Sequence, residues 1–305
     1  MNCGPMTRAF SSEVGSGSRE ENASKEMTKA FSSEVGPGSR EENALKNESK
    51  NESAAADVTE DGFLGGQLRL RQPRSGHRAG HDAVLLAAAT PAQSGDRVVD
   101  LGSGIGAAGL AVARRVTGLD LVLVEIDPML AQLARDNAAA NAIAAHVIVL
   151  DVEVDAAAFA ASGLAPDSAD IVLMNPPFND PARHRASPDG VRERAHVATA
   201  TTLASWVHAA RRILRSSGQL AMIWRADGIA EVLAALDRGF GSLEILPVHA
   251  DVTSPAIRIL IRATKGGRAP TRLHTALLLN DESGVPNKWV QEILTGKGAL
   301  PLAQR

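Results

Sequence analysis

From Gly62 onward, short β-branched runs alternate with Ala- and Leu-rich stretches, and nothing else in the sequence restricts the fold as much. Strand candidates fall at 97–101, 119–125, 146–150, 171–175 and 220–224, with helical candidates at 107–116, 128–141, 199–214 and 228–238 between them. Such alternation implies right-handed crossovers and a parallel sheet covered on both faces. Two more strand candidates, 243–248 and 257–263, follow the last helix with a short Pro- and Ser-containing link that no crossover helix fits. That pair is therefore predicted to be an antiparallel hairpin closing one sheet edge. The expectation is an α/β three-layer sandwich with a seven-stranded, mostly parallel sheet. A chain of 305 residues with 44% hydrophobic content supports one such core rather than two.

Before this pattern begins, Thr7 to Ala23 (TRAFSSEVGSGSREENA) recurs as Thr28 to Ala44 (TKAFSSEVGPGSREENA), displaced by 21 residues. Two polar copies with one Phe each cannot bury a core, so residues 1–57 read as a disordered, duplicated leader. The chain has 32 Lys and Arg against 35 Asp and Glu; the leader holds seven and ten of these, leaving 25 of each. Within that balanced remainder, seven arginines (183, 185, 192, 194, 211, 212, 215) face only Asp189 and Glu193, an excess suited to phosphates. Cys3 is the only cysteine, which excludes an intrachain disulfide, and the eight histidines lack metal-ligand spacing. No metal site is expected. No apolar run reaches the roughly 18 residues of a membrane span and no signal core is visible, so the sequence predicts a cytoplasmic protein with no membrane partner.

Val98 to Gly106, VVDLGSGIG, reads as a buried strand entering a glycine turn and then a helix. Missing side chains let backbone press against a ligand while the helix N-terminus offers unpaired N–H groups, so this is a nucleotide-type site. Gly104, Gly106 and Gly109 also spell the dinucleotide fingerprint G-x-G-x-x-G, and Glu125, about 20 residues on, suits the ribose hydroxyls of any adenosine. Asp100 separates the possibilities. An acid beneath the turn would repel a pyrophosphate but favours a ligand that carries positive charge, such as the sulfonium cofactor S-adenosyl-L-methionine.

Asn175, Pro176, Pro177 and Phe178 follow the fourth strand of the alternation directly, at the carboxyl edge where open α/β sheets bind ligands. An amino group conjugated to a ring or carbonyl is a poor nucleophile because its lone pair is delocalised. The Asn175 side-chain oxygen and a carbonyl of the Pro-Pro stretch would take its two N–H bonds, favour a tetrahedral nitrogen and stabilise the developing charge. Proline removes backbone donors and restricts the preceding residue, which keeps those carbonyls free and fixed. Phe178 offers a flat face on which a planar base stacks.

Together these landmarks resemble the amino-methylating class I enzymes with a Rossmann-like fold. Gln72 to Ala88, QPRSGHRAGHDAVLLAA, and Ala276 to Leu294, ALLLNDESGVPNKWVQEIL, are similar to the opening and closing segments of the bacterial tRNA1(Val) adenosine-37 N6-methyltransferase family. His77 stands where that family has Tyr, His81 where Thr is usual, and Phe178 for a commoner Tyr. The resemblance covers about residues 61–296. It implies an N-terminal segment, 58–96, capping the cofactor site of a methyltransferase domain, 97–305. It further implies S-adenosyl-L-methionine held by Asp82, Asp100, Gly102, Ser103, Gly104, Glu125, Ile126, Asp151, Val152 and Asn175, with Asp82 at the methionine end and Asp151 on the adenine amino group. The acceptor would be RNA, tRNA first, methylated on an adenine by a monomeric enzyme whose Arg183, Arg185, Arg192 and Arg194 hold phosphates. The same N-P-P chemistry serves protein glutamine and ribosomal guanine N2 methyltransferases, so the acceptor stays open among these. An NAD-dependent dehydrogenase would use Glu125 and the glycines but leave Asp100 and the NPPF motif without a role.

Overall fold

The computed structural model describes residues 58–74, 78–177 and 202–305. The duplicated leader, His77, Phe178 and the arginines from 183 to 194 lie outside them. An antiparallel hairpin comes first, β1 (Val58–Phe63) and β2 (Leu68–Pro73), then α1 (His81–Ala89). Along β2 the side chains alternate, Leu68, Leu70 and Gln72 turned inward and Arg69 and Arg71 outward, the period of a half-covered strand.

The main sheet is built from β3 (Arg97–Leu101), β4 (Asp120–Glu125), β5 (His146–Val149), β6 (Ala169–Met174), β7 (Leu214–Arg225), β8 (Phe240–His249) and β9 (Ala256–Lys265). Strands β5, β4, β3, β6 and β7 lie side by side and parallel, and β9 runs antiparallel between β7 and β8. Helices α2 (Ala107–Arg115), α3 (Pro128–Ala140), α4 (Ala156–Ala161), a fifth spanning 202–213 and α6 (Ile229–Leu236) make the connections. Because β-strand side chains alternate between faces, neighbours such as Val98 and Val99 enter different cores. Val98, Leu121 and Leu173 pack with Leu85 of α1 and Leu110 of α2, while Val99, Val122 and Val172 pack with Phe159, Trp206 and Ala210. Burying one such leucine completely is worth roughly 1.5–3 kcal/mol, so both faces hold the sheet.

The expected reversed hairpin is present, but it does not close the edge. Two short strands, β10 (Arg272–Leu273) and β11 (Leu277–Leu278), both pair in parallel with β8 and bring the sheet to nine strands. Seven is the number of long strands; two-residue additions carry no periodicity to read. Strand β7 also begins at Leu214 rather than 220, across a register irregularity that the positive φ of Ser217 (61°) accommodates. A last helix, α7 (Lys288–Leu294), buries Val290 and Ile293 in the first core.

Asn137, fully buried in Ala-rich α3, mimics a strand partner for the hairpin. Its Oδ1 accepts from Arg71 N at 2.7 Å, and its Nδ2 donates to Arg71 O at 3.1 Å and to Ile105 O at 3.0 Å. Asn141, one turn on, does the same for Arg69. The hairpin is thereby tied to the glycine turn, because Ile105 lies within it.

Candidate active site

Strand order reverses around β3, whose neighbours are β4 on one side and β6 on the other. Crossovers leave in opposite directions there and open a crevice at the carboxyl ends. Register fixes what meets in it: Leu101 pairs with Val124 and with Met174, so the next residues along, Gly102, Glu125 and Asn175, emerge side by side.

Gly102, Gly104 and Gly106 have φ of 69°, 55° and 85°, the left-handed region where a Cβ is costly. A Cβ at Gly102 would stand 2.3 Å from Trp206 Cη2, whereas one at Gly104 would meet nothing within 4 Å. Gly102 is therefore required by the floor of the turn, and Gly104 faces the open crevice. Glu125 braces the turn: Oε2 accepts from Gly104 N at 2.7 Å and Oε1 from Asp127 N at 3.0 Å. Asp127 itself caps α3, accepting from Met129 N and Leu130 N. Each Glu125 oxygen keeps a lone pair for a further donor. Beside it Ile126 is 57% exposed, an apolar face at the crevice mouth.

Asp100 lies deeper than the sequence implies. It is buried, and its Oδ2 accepts from Gly109 N in the first turn of α2 at 2.9 Å. Burial pushes its carboxyl up to about 7, against the Gly109 hydrogen bond and with repulsion from Glu125 adding to the rise. Its charge thus acts on the crevice from beneath, while its oxygen buckles β3 to α2.

Asp151 follows β5, and its Oδ1 accepts from Glu153 N at 2.9 Å, capping the turn that leads to α4. The side chain of Val152 is buried in the second core, so only its backbone can face a ligand. Asp82, in the first turn of α1, is buried with Oδ2 accepting from Arg258 Nε at 2.9 Å.

Pro176 is buried and Pro177 exposed. Asn175 follows β6 directly, with its Oδ1 enclosed. Asp82 Oδ1, Ser103 Oγ and Asn175 Oδ1 are all buried with no hydrogen-bond partner among the described residues. Leaving such an atom unpaired costs about 1–3 kcal/mol, and a ligand bearing ammonium, hydroxyl or amino hydrogens would remove that cost. These acceptors, the open Gly104 and the apolar Ile126 fit S-adenosyl-L-methionine. Trp206, Arg258 and Asn137 are the contributors that sequence reasoning missed. Each acts on residues far away in the chain, so no local spacing announces it.

The arginine excess divides. Arg211 donates to Arg238 O at 3.1 Å, Arg212 stacks over Phe159 at 4.4 Å and donates to Val154 O, and Arg215 pairs with Asp170 at the start of β6. These three are engaged within the protein. Among the described residues no group of three or more His, Cys, Asp or Glu side chains could hold a metal ion, and no helix is long and apolar enough to cross a membrane.

The chain is similar to known methyltransferases. Residues 78–251 match the model of the methyltransferase small domain. A tRNA1(Val) (adenine(37)-N6)-methyltransferase of Erwinia tasmaniensis is 30% identical over 68% of this chain and 82% of its own length. One of Dickeya chrysanthemi is 28% identical over 72% and 87%. Among solved structures, a predicted O-methyltransferase from Agrobacterium tumefaciens shares 32% identity with a TM-score of 0.60, covering 72% of this chain and 98% of that one.

Proposed function

Since the chain belongs to the methyltransferase small domain family and is an S-adenosyl-L-methionine-dependent methyltransferase, we propose that it methylates the exocyclic N6 amino group of an adenine in RNA, in tRNA(Val) beside the anticodon. One observation carries the choice of an amino acceptor: Asn175 Oδ1 is enclosed, unpartnered and set next to the glycine turn. A hydroxyl has a single hydrogen to give, whereas an amino nitrogen has two, one for Asn175 and one for a Pro-Pro carbonyl. With both held, the nitrogen lone pair turns toward the sulfonium methyl, and the Asn175 dipole stabilises the cation formed as the methyl transfers. Asn175 does not titrate near neutrality, so it orients and the proton leaves to solvent.

The names of the relatives support adenine and tRNA. In this reading the base is turned out of the anticodon-loop stack, Phe178 stacks on it, and Arg183, Arg185, Arg192 and Arg194 hold flanking phosphates. Residues 58–96 cap the cofactor, and the enzyme works as a cytoplasmic monomer without metal. Incubation with labelled S-adenosyl-L-methionine and, separately, total tRNA, rRNA or release factor, followed by digestion to nucleosides, tests this. Label in N6-methyladenosine from tRNA is the expected result; label in N2-methylguanosine or only in protein refutes the adenine assignment.

A further inference from the structure

Asp82 and Arg258 stand 176 positions apart in sequence yet meet at 2.9 Å, with the arginine side chain 12% and the aspartate 4% exposed. A buried ion pair adds little net stability, because desolvating both charges offsets their attraction. Placement is therefore the informative property of this one. In the β7–β9 register Arg258 is the partner of Arg225, the last residue of β7, so its guanidinium stands at the carboxyl edge of the sheet. That is two strands from Asn175, about 10 Å at ordinary strand spacing. Only Oδ2 of Asp82 is used; Oδ1 is buried and unpartnered among the described residues. The result is a carboxylate oxygen held immobile by a charged donor, with its remaining hydrogen-bonding capacity unused, tied to the same carboxyl edge of the sheet as Asn175. A cationic donor is the ligand group that such an oxygen recognises.

We propose that Arg258 is a positioning residue for the cofactor: it fixes Asp82 so that Oδ1 receives a hydrogen bond from the α-ammonium of the methionine moiety. This rests on the placement of Asp82 at the methionine end of the cofactor. Strand β9 thereby takes part in cofactor recognition through α1, although Arg258 itself need not touch the ligand.

Two probes isolate the effect. S-adenosylhomocysteine carries the amino-acid portion and 5′-methylthioadenosine lacks it, so calorimetry with both separates the two ends of the site. Arg258→Lys keeps a cation but loses the Nε geometry, and it is expected to weaken S-adenosylhomocysteine by at least about tenfold while methylthioadenosine stays within about twofold. Because Arg258→Lys could fail to fold, the neutral pair Asp82→Asn with Arg258→Met serves as the second variant. It buries no charge, is expected to melt near the wild type, and should show the same selective loss. A double variant that binds S-adenosylhomocysteine as the wild type does overturns the proposal, as does equal weakening of both ligands, which marks a merely structural pair. Wild-type protein that binds methylthioadenosine but not S-adenosylhomocysteine overturns the placement of Asp82 as well, and binding of neither ligand overturns the cofactor reading itself.

Discussion

Replacing Asp100 by asparagine separates its two roles. The buried carboxyl is raised from 3.8 to about 7, first by desolvation and also by the charge of Glu125, with the Gly109 N–H opposing. The folded protein then binds this proton more tightly than the unfolded chain, so the group's contribution to stability is fully present below pH 3.8. It is lost progressively as pH climbs toward 7, the reverse of the usual paired carboxylate. Each pH unit inside that window costs about 1.4 kcal/mol, so from pH 5 to pH 8 the wild type should lose roughly 3 kcal/mol through this residue alone. Asparagine keeps an oxygen for Gly109 N and cannot ionise; its unpaired N–H2 group costs about 1–3 kcal/mol at every pH. The stability difference between variant and wild type, measured by urea denaturation without cofactor at pH 5, 6, 7 and 8, should therefore shift toward the variant by about 3 kcal/mol across the series. A difference that stays constant over those four values refutes the reasoning. The sulfonium charge favours ionised Asp100, so wild-type affinity for S-adenosyl-L-methionine should rise with pH through 7 and that of the variant should be lower and flat.

Five further outcomes follow from the geometry. Gly104→Ala, with open space at its Cβ but φ of 55°, should cost about 1 kcal/mol of stability and abolish cofactor binding by calorimetry. Gly102→Ala, which drives a methyl into Trp206 at 2.3 Å, should lower the thermal midpoint much further. Asn175→Ala should reduce kcat at least about a hundredfold while leaving melting unchanged, and methyl transfer at the normal rate would exclude the orienting role. Asn137→Ala, which orphans Arg71 N, Arg71 O and Ile105 O, should cost about 3 kcal/mol in denaturation and speed amide exchange at Arg71. Arg215→Ala, which breaks a half-exposed pair with Asp170, should change stability by no more than about 1 kcal/mol and leave RNA affinity in gel shift unchanged.

What was legible in the sequence was local. Strand and helix periodicity placed β3 to β9 within a few residues, except for the start of β7 at Leu214 rather than 220, and the spacing of Asp100, Glu125 and Asn175 near the ends of their strands was enough to gather them at one sheet edge, because parallel strands present their carboxyl ends together. The alternation of Leu68, Leu70 and Gln72 against Arg69 and Arg71 is as regular as any of these, yet it lies beside the Gln72–Ala88 motif, and six residues of period two say little alone. Asn137 and Arg258 were illegible for a different reason: a buried polar side chain is defined by its partner, and these partners lie 66 and 176 residues away. The arginine count shows how sequence distance misleads in the opposite direction. Arg194 and Arg211 are close in the chain, but the helix over 202–213 advances about 18 Å at 1.5 Å per residue and delivers Arg215 to the amino end of β6, across the sheet from Asn175. Charge density along a chain predicts a phosphate-binding surface only when the fold keeps those charges on one edge. Here Asn175 to Pro177 stand just past the carboxyl end of β6, whereas Arg215 packs against Asp170 near its amino end.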